Sequence, residues 1–178
     1  MAGTLTSVAR DELLETTLER DDDGSVLTIS TPVALAPADL WQWITEPSLI
    51  ARWSPAVPDR AATSVGPATA RENPDDEPID GEILFVDAPR QLTERFGSST
   101  LHWTIGETAT GSSVLRLDQR LVPADADQAS MMAAGWHICF AVLRQVAIGH
   151  DVARIVGPVS VEYGWNELNE RYGRLFSR

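Results

Sequence analysis

Four stretches, at about 81–87, 91–97, 100–106 and 112–121, carry apolar or β-branched residues at alternate positions, with only Ala88-Pro89, Gly97-Ser98-Ser99 and Thr110-Gly111 between them. Turns this short cannot hold a crossover helix, so the strands must run antiparallel as a meander. The period then changes. From Gln128 to Gly149, Met132, Trp136, Cys139, Phe140, Leu143, Val146 and Ala147 fall at helical spacing. A long apolar helix that follows a sheet buries its stripe by lying across that sheet, and a curved sheet under such a helix tends to enclose a cavity. The chain is therefore expected to be α+β, with an internal hollow.

The remaining elements fit around this frame. Ser25 to Thr31 reads as a first strand. Pro37-Ala38-Asp39-Leu40 starts a helix with Trp41 and Ile44 on one face, Glu46-Pro47-Ser48 breaks it, and Pro47 to Trp53 reads as a second short helix. Residues 54–80 are loop-like, with weak strands expected around Ala61–Ser64 and Thr69–Glu72. After Gly157-Pro158, a last helix shows Trp165, Leu168, Tyr172 and Leu175 on one stripe; it cannot stand alone and must dock on the domain or on a second subunit, which leaves a homodimer open. At the other end, Leu13, Leu14 and Leu18 suit a short helix, a pairing strand or a mobile arm. The expected division is an acidic arm over 1–24, the main domain over 25–150 and a helical extension over 151–178.

Composition excludes several classes. At 178 residues the chain suits one domain with a sizeable core. A net charge of −12 argues against nucleic acid, whose recognition needs a basic face, and against anionic membranes. All 14 basic residues are arginine, so neither a Schiff-base lysine nor a phosphate-cradling P-loop lysine is available. The one cysteine, Cys139, rules out an internal disulfide and any multi-cysteine metal site. With no basic-then-apolar leader and no apolar run of membrane-spanning length, a cytoplasmic protein is expected.

Certain segments carry a further likeness: Leu40-Trp41 with Thr45-Glu46-Pro47, then Arg52-Trp53, Gly81-Glu82-Ile83, Asp87-Ala88-Pro89-Arg90 with Leu92, Phe96-Gly97, Leu101-His102-Trp103, and Ala133-Ala134-Gly135-Trp136-His137. In this order, over roughly residues 25 to 150, they resemble the bacterial branch of the activator-of-Hsp90-ATPase-like family within the START/Bet v 1 (SRPBCC, helix-grip) superfamily. The resemblance implies a curved antiparallel sheet of about seven strands wrapped around the long helix, two short helices after the first strand, and a hydrophobic ligand cavity. It supplies no catalytic set. Two departures stand out: Gln119 where relatives often carry histidine, and Phe96 where tryptophan is usual.

Strand alternation places the candidate site. If Leu92 faces the helix, so do Glu94 and Phe96; Trp103 and Ile105 follow Leu101, and Leu117 and Gln119 follow Leu115. Trp136 and Phe140 come down from the helix, and Trp53 closes one mouth. The expected ligand-binding set is Trp53, Glu94, Phe96, Trp103, Leu117, Gln119, Trp136 and Phe140, an apolar wall with two polar points. Arg95 and Arg116 point outward, so the Glu94 carboxyl lacks an obvious cationic partner and should hold its proton. His137 and Cys139, two apart on a helix, cannot chelate together, His102 lies on the outer strand face, and Cys139 reads as packing; no metal, cofactor or nucleophile is expected. The reading is a non-catalytic binder of a small hydrophobic or amphipathic molecule. The alternatives are a cyclase, dehydratase or hydrolase using Glu94 as acid or base, and an Hsp90-linked interaction protein with a filled interior.

Overall fold

A computed structural model describes Val8 and residues 11–177 of the chain. The elements, in order, are β1 (Glu15–Asp21), β2 (Gly24–Val33), α1 (Pro37–Thr45), α2 (Pro47–Ile50), β3 (Val57–Pro58), β4 (Thr69–Arg71), β5 (Ile79–Asp80), β6 (Ile83–Asp87), β7 (Gln91–Phe96), β8 (Ser99–Glu107), β9 (Ser113–Leu121), α3 (Ala129–Ala147) and α4 (Trp165–Phe176). Tight 3-10 turns at Pro123–Gln128 and Gly157–Tyr163 lead into the last two helices. The main sheet is antiparallel and six-stranded, in the order β1-β2-β9-β8-β7-β6, and β3, β4 and β5 form a small second sheet.

The meander brings the inward-facing residues of neighbouring strands opposite one another. Trp103 on β8 pairs with Leu117 on β9, and Leu117 pairs in turn with Ile29 on β2. Along β9, Ser113, Leu115, Leu117, Gln119 and Leu121 are buried while the residues between them reach the surface, as a period of two requires when one sheet face is covered. The covering element is α3, from which Trp136, Cys139, Phe140 and Leu143 are buried in the central core.

Of the alternatives open to the acidic arm, the pairing strand forms: β1 pairs with β2 over its whole length, with Leu18 opposite Leu27, so Leu13, Leu14 and Leu18 pack on the core from a sheet edge. No strand forms at Ala61–Ser64. There the backbone curls around Arg60, which donates to the carbonyl oxygens of Ala61, Ser64, Gly66 and Pro67, the Ala62 N–H donates to the Thr45 carbonyl, and Val57–Pro58 pairs with β4 instead. On the side of α3 that carries His137, α4 packs, and its Leu168 and Tyr172 are fully buried.

The β1–β2 hairpin depends on Gly24. Its φ of +134° belongs to the glycine region, and a Cβ built there would lie 2.1 Å from the Leu121 carbonyl oxygen. Among the described residues, no helix is long and apolar enough to cross a membrane.

Candidate functional site

The inner face of the sheet meets α3 through a continuous aromatic cluster. Trp103 lies edge-on to Trp136, with ring centroids 5.5 Å apart, and edge-on to Trp53 at 6.0 Å. Phe140 sits 6.0–6.3 Å from Trp53, Trp103 and Trp136, and Phe96 lies 6.0 Å from Trp136. Such tilted and T-shaped pairs suit the aromatic quadrupole and fill space densely. All the aromatic members of the expected set therefore converge.

Each indole N–H in the cluster is satisfied, and the partners define its polar points. Trp53 Nε1 donates to the Trp43 carbonyl oxygen at 2.9 Å, fixing the turn after α2 against α1. Trp136 Nε1 donates to Gln119 Oε1 at 2.8 Å, and Gln119 Nε2 donates to Ser99 Oγ at 3.2 Å. Gln119 is thus a fully buried clamp between α3 and the sheet, with its amide already committed. Trp103 Nε1 donates to Glu94 Oε1 at 2.9 Å. Among the described residues that carboxyl has no cationic partner, and burial pushes its pKa from 4.5 up to about 7, against the opposing pull of the Trp103 hydrogen bond. Part of the Glu94 residue still reaches solvent, but its carboxyl end is the desolvated part.

The space beside Glu94 is small. A hollow of about 30 Å³ lies between β7, β8 and the α2–β4 segment, with Trp53, Glu94, Phe96, Trp103 and Trp136 in its wall. Leu117, Gln119 and Phe140 stand behind that wall rather than in it. The expected ligand-sized cavity is corrected to a void with room for a water or two, because the aromatic rings occupy the space that smaller side chains would have left. Trp53 is 1% exposed and so is part of the packed wall, not a flap at a mouth. Sequence reading missed Ile44, Ile50, Ser54, Ala56, Pro58, Ala70 and Gly81, and Leu101 and Arg95 from the strands also border the hollow. Ile44 was legible from the α1 stripe, whereas the other missed residues lie where no period marks an inward face.

The remaining candidates have structural roles. His137 Nδ1 shares a 2.8 Å hydrogen bond with the Tyr172 hydroxyl, and burial lowers its pKa from 6.5 to about 4. Cys139 is buried, which pushes its thiol up to about 12, far from a reactive thiolate. On the outer face, His102 Nδ1 lies 2.7 Å from Thr93 Oγ1. Among the described residues, no three His, Cys, Asp or Glu side chains gather closely enough to hold a metal ion.

A curved antiparallel sheet gripping one long helix, with an aromatic interior and one buried carboxyl, defines a helix-grip protein. The family model described as activator of Hsp90 ATPase homolog 1-like protein matches residues 34–147, and the chain belongs to that family. Solved structures share the fold at low identity. A conserved protein of unknown function, EF2215 from Enterococcus faecalis, is 15% identical with a TM-score of 0.73, covering 90% of each chain. CalU16 from Micromonospora echinospora is 18% identical with a TM-score of 0.68, covering 92% of this chain and 98% of its own. DynU16, from the dynemicin biosynthetic locus, is 17% identical with a TM-score of 0.62, covering 75% of this chain and 51% of its own. No curated protein sequence matches the chain.

Proposed function

We propose that the chain binds a small apolar or amphipathic molecule beneath α3 without transforming it, with Glu94 as the polar contact that orients the ligand. The observation that carries this reading is the Glu94 carboxyl itself, held in an apolar aromatic wall with Trp103 as its hydrogen-bonding side-chain partner. A buried polar group beside a void is costly to keep unless something uses it. The reading requires Phe96, a half-buried ring at the end of β7 packed on Trp136, to move aside for the ligand. The likeness to DynU16, from a biosynthetic locus, supports a small-molecule setting.

Native mass spectrometry of freshly purified protein should reveal a co-purified small molecule. Nile red should quench tryptophan emission saturably, and Ala56→Leu, which extends a lining side chain into the hollow, should weaken it about tenfold. Unchanged quenching in that variant would remove the internal site. Turnover of a bound molecule that disappears in Glu94→Gln while binding persists would overturn the non-catalytic part, since a carboxyl near 7 suits general acid–base work. Co-purification with Hsp90 that is indifferent to Ala56→Leu would point instead to the outer surface.

A further inference from the structure

We infer that the chain has a second ligand groove, between α3 and the segment that leads into α4, and that this groove takes an apolar molecule bearing a protonated amine. The inference goes beyond the Glu94 reading and does not depend on it. The groove measures about 370 Å³, within the roughly 300–1,000 Å³ usual for small-molecule sites, against about 30 Å³ beside Glu94. Met132, Gly135 and Cys139 of α3 form one side, and Ile155, Val161 and Trp165 the other. Phe96 and Trp136 line both spaces, so their paired rings are the partition between them.

Two features show that the groove is open by construction. Gly135 lies in the middle of a helix, where glycine is otherwise unfavourable, and a Cβ placed on it meets nothing within 4 Å. Met131 and Val161 on the rim remain 43% and 47% exposed, so among the described residues nothing covers this apolar surface.

The chemistry of the occupant follows from one residue. Glu72 is the only charged side chain in the lining. Its Oε1 reaches the Gly157 end, 3.2 Å from where a Cβ on that glycine would stand. Among the described residues this carboxylate makes no hydrogen bond or ion pair. Arg154 donates to the Glu72 backbone carbonyl instead, from the adjoining groove that it lines together with Arg71. A free carboxylate at the end of a trough walled by Trp136, Trp165 and Phe96 selects a cation with an apolar body: the carboxylate pairs with the charge, and the ring faces attract it. The net charge of −12 draws cations toward the whole molecule and repels anions.

The test is calorimetric titration of the full chain with decylamine, decanol and decanoate at pH 7. Decylamine should bind about tenfold more tightly than decanol, with decanoate weakest. Glu72→Gln should bring the amine and the alcohol together. Gly135→Leu should weaken all three by filling the trough. Should that variant fail to fold, Val161→Arg, at an exposed rim position, should reverse the order in favour of decanoate. Equal affinities for the three probes, or no binding, would overturn the inference. So would an amine preference lost in Glu94→Gln and kept in Glu72→Gln, which would place the probe in the interior.

Discussion

Replacing Glu94 by glutamine should change how stability depends on pH, in a direction the structure fixes. The buried carboxyl titrates at about 7, against 4.5 when unburied. The folded state therefore holds the proton more tightly than the unfolded chain. A raised carboxyl of this kind contributes stability that is complete below about 4.5 and is lost as pH climbs through about 7. At about 1.4 kcal/mol per tenfold difference in proton affinity, the loss is about 3 kcal/mol. Glutamine keeps the acceptor oxygen for Trp103 Nε1 and cannot ionise. Urea denaturation at intervals from pH 4.5 to 8.5 should show the wild type losing about 3 kcal/mol relative to Glu94→Gln, with the change centred between pH 5 and 7 and flat above it. Parallel curves over that range would mean that water reaches the carboxyl freely, and the case for a desolvated polar point would fail.

Other expectations concern the clamps around the aromatic cluster. Gln119→Leu leaves the Trp136 indole N–H and Ser99 without their partner; it should cost about 1–3 kcal/mol, and an unchanged urea midpoint would contradict that. Gly24→Ala, with its Cβ driven toward the Leu121 carbonyl, should destabilise by about 1–3 kcal/mol, detectable as a lowered melting temperature, and a rise would refute the hairpin argument. Leu168→Ala, at the buried centre of the α3–α4 contact, should cost about 2–5 kcal/mol and speed proteolysis after α3; resistance equal to wild type would show that α4 docks by other contacts. His137→Leu removes a histidine whose pKa is depressed from 6.5 to about 4. Its contribution is present above 6.5 and lost as pH falls through about 4, so relative to His137→Leu the wild type should fall by about 3 kcal/mol between pH 7.5 and 3.5. Equal losses measured by denaturation at those two pH values would overturn the assignment.

The order of elements was legible because each period leaves a mark of its own. Alternation in 100–106 and 112–121 fixed which of Trp103, Leu117 and Gln119 face inward, and helical spacing placed Trp136 and Phe140 above them. Glu94 was legible for the same reason, and its lack of a cation followed from the outward register of Arg95 and Arg116. The size of the hollow was not legible. Whether four large rings leave a void depends on tilts of tens of degrees and centroid separations of 5.5–6.3 Å, which residue types alone do not set. Nor was the groove beside Glu72, since it is built by aperiodic segments around 55, 72 and 155–161 that meet α3 only in three dimensions. The loop that curls around Arg60 at 61–67 was likewise illegible, because the side-chain bonds that hold it leave no period in the sequence.

The two buried titratable groups on either flank of α3 also constrain one another's visibility. Toward the sheet, Glu94 favours the folded state as pH falls from about 7 to 4.5; toward α4, His137 disfavours it as pH falls from 6.5 to about 4. Each effect is worth about 3 kcal/mol and they run in opposite directions over nearly the same interval. The wild type should therefore show a shallow pH profile between 4.5 and 6.5, although neither group is indifferent to pH. The single variants should tilt that profile in opposite senses. Because Glu94 bonds to Trp103 and His137 to Tyr172, the two share no hydrogen-bond partner, and the double variant should restore the shallow profile by simple addition. A double variant as steep as either single one would show that α3 transmits strain between its flanks, and the two sites would then have to be treated as one.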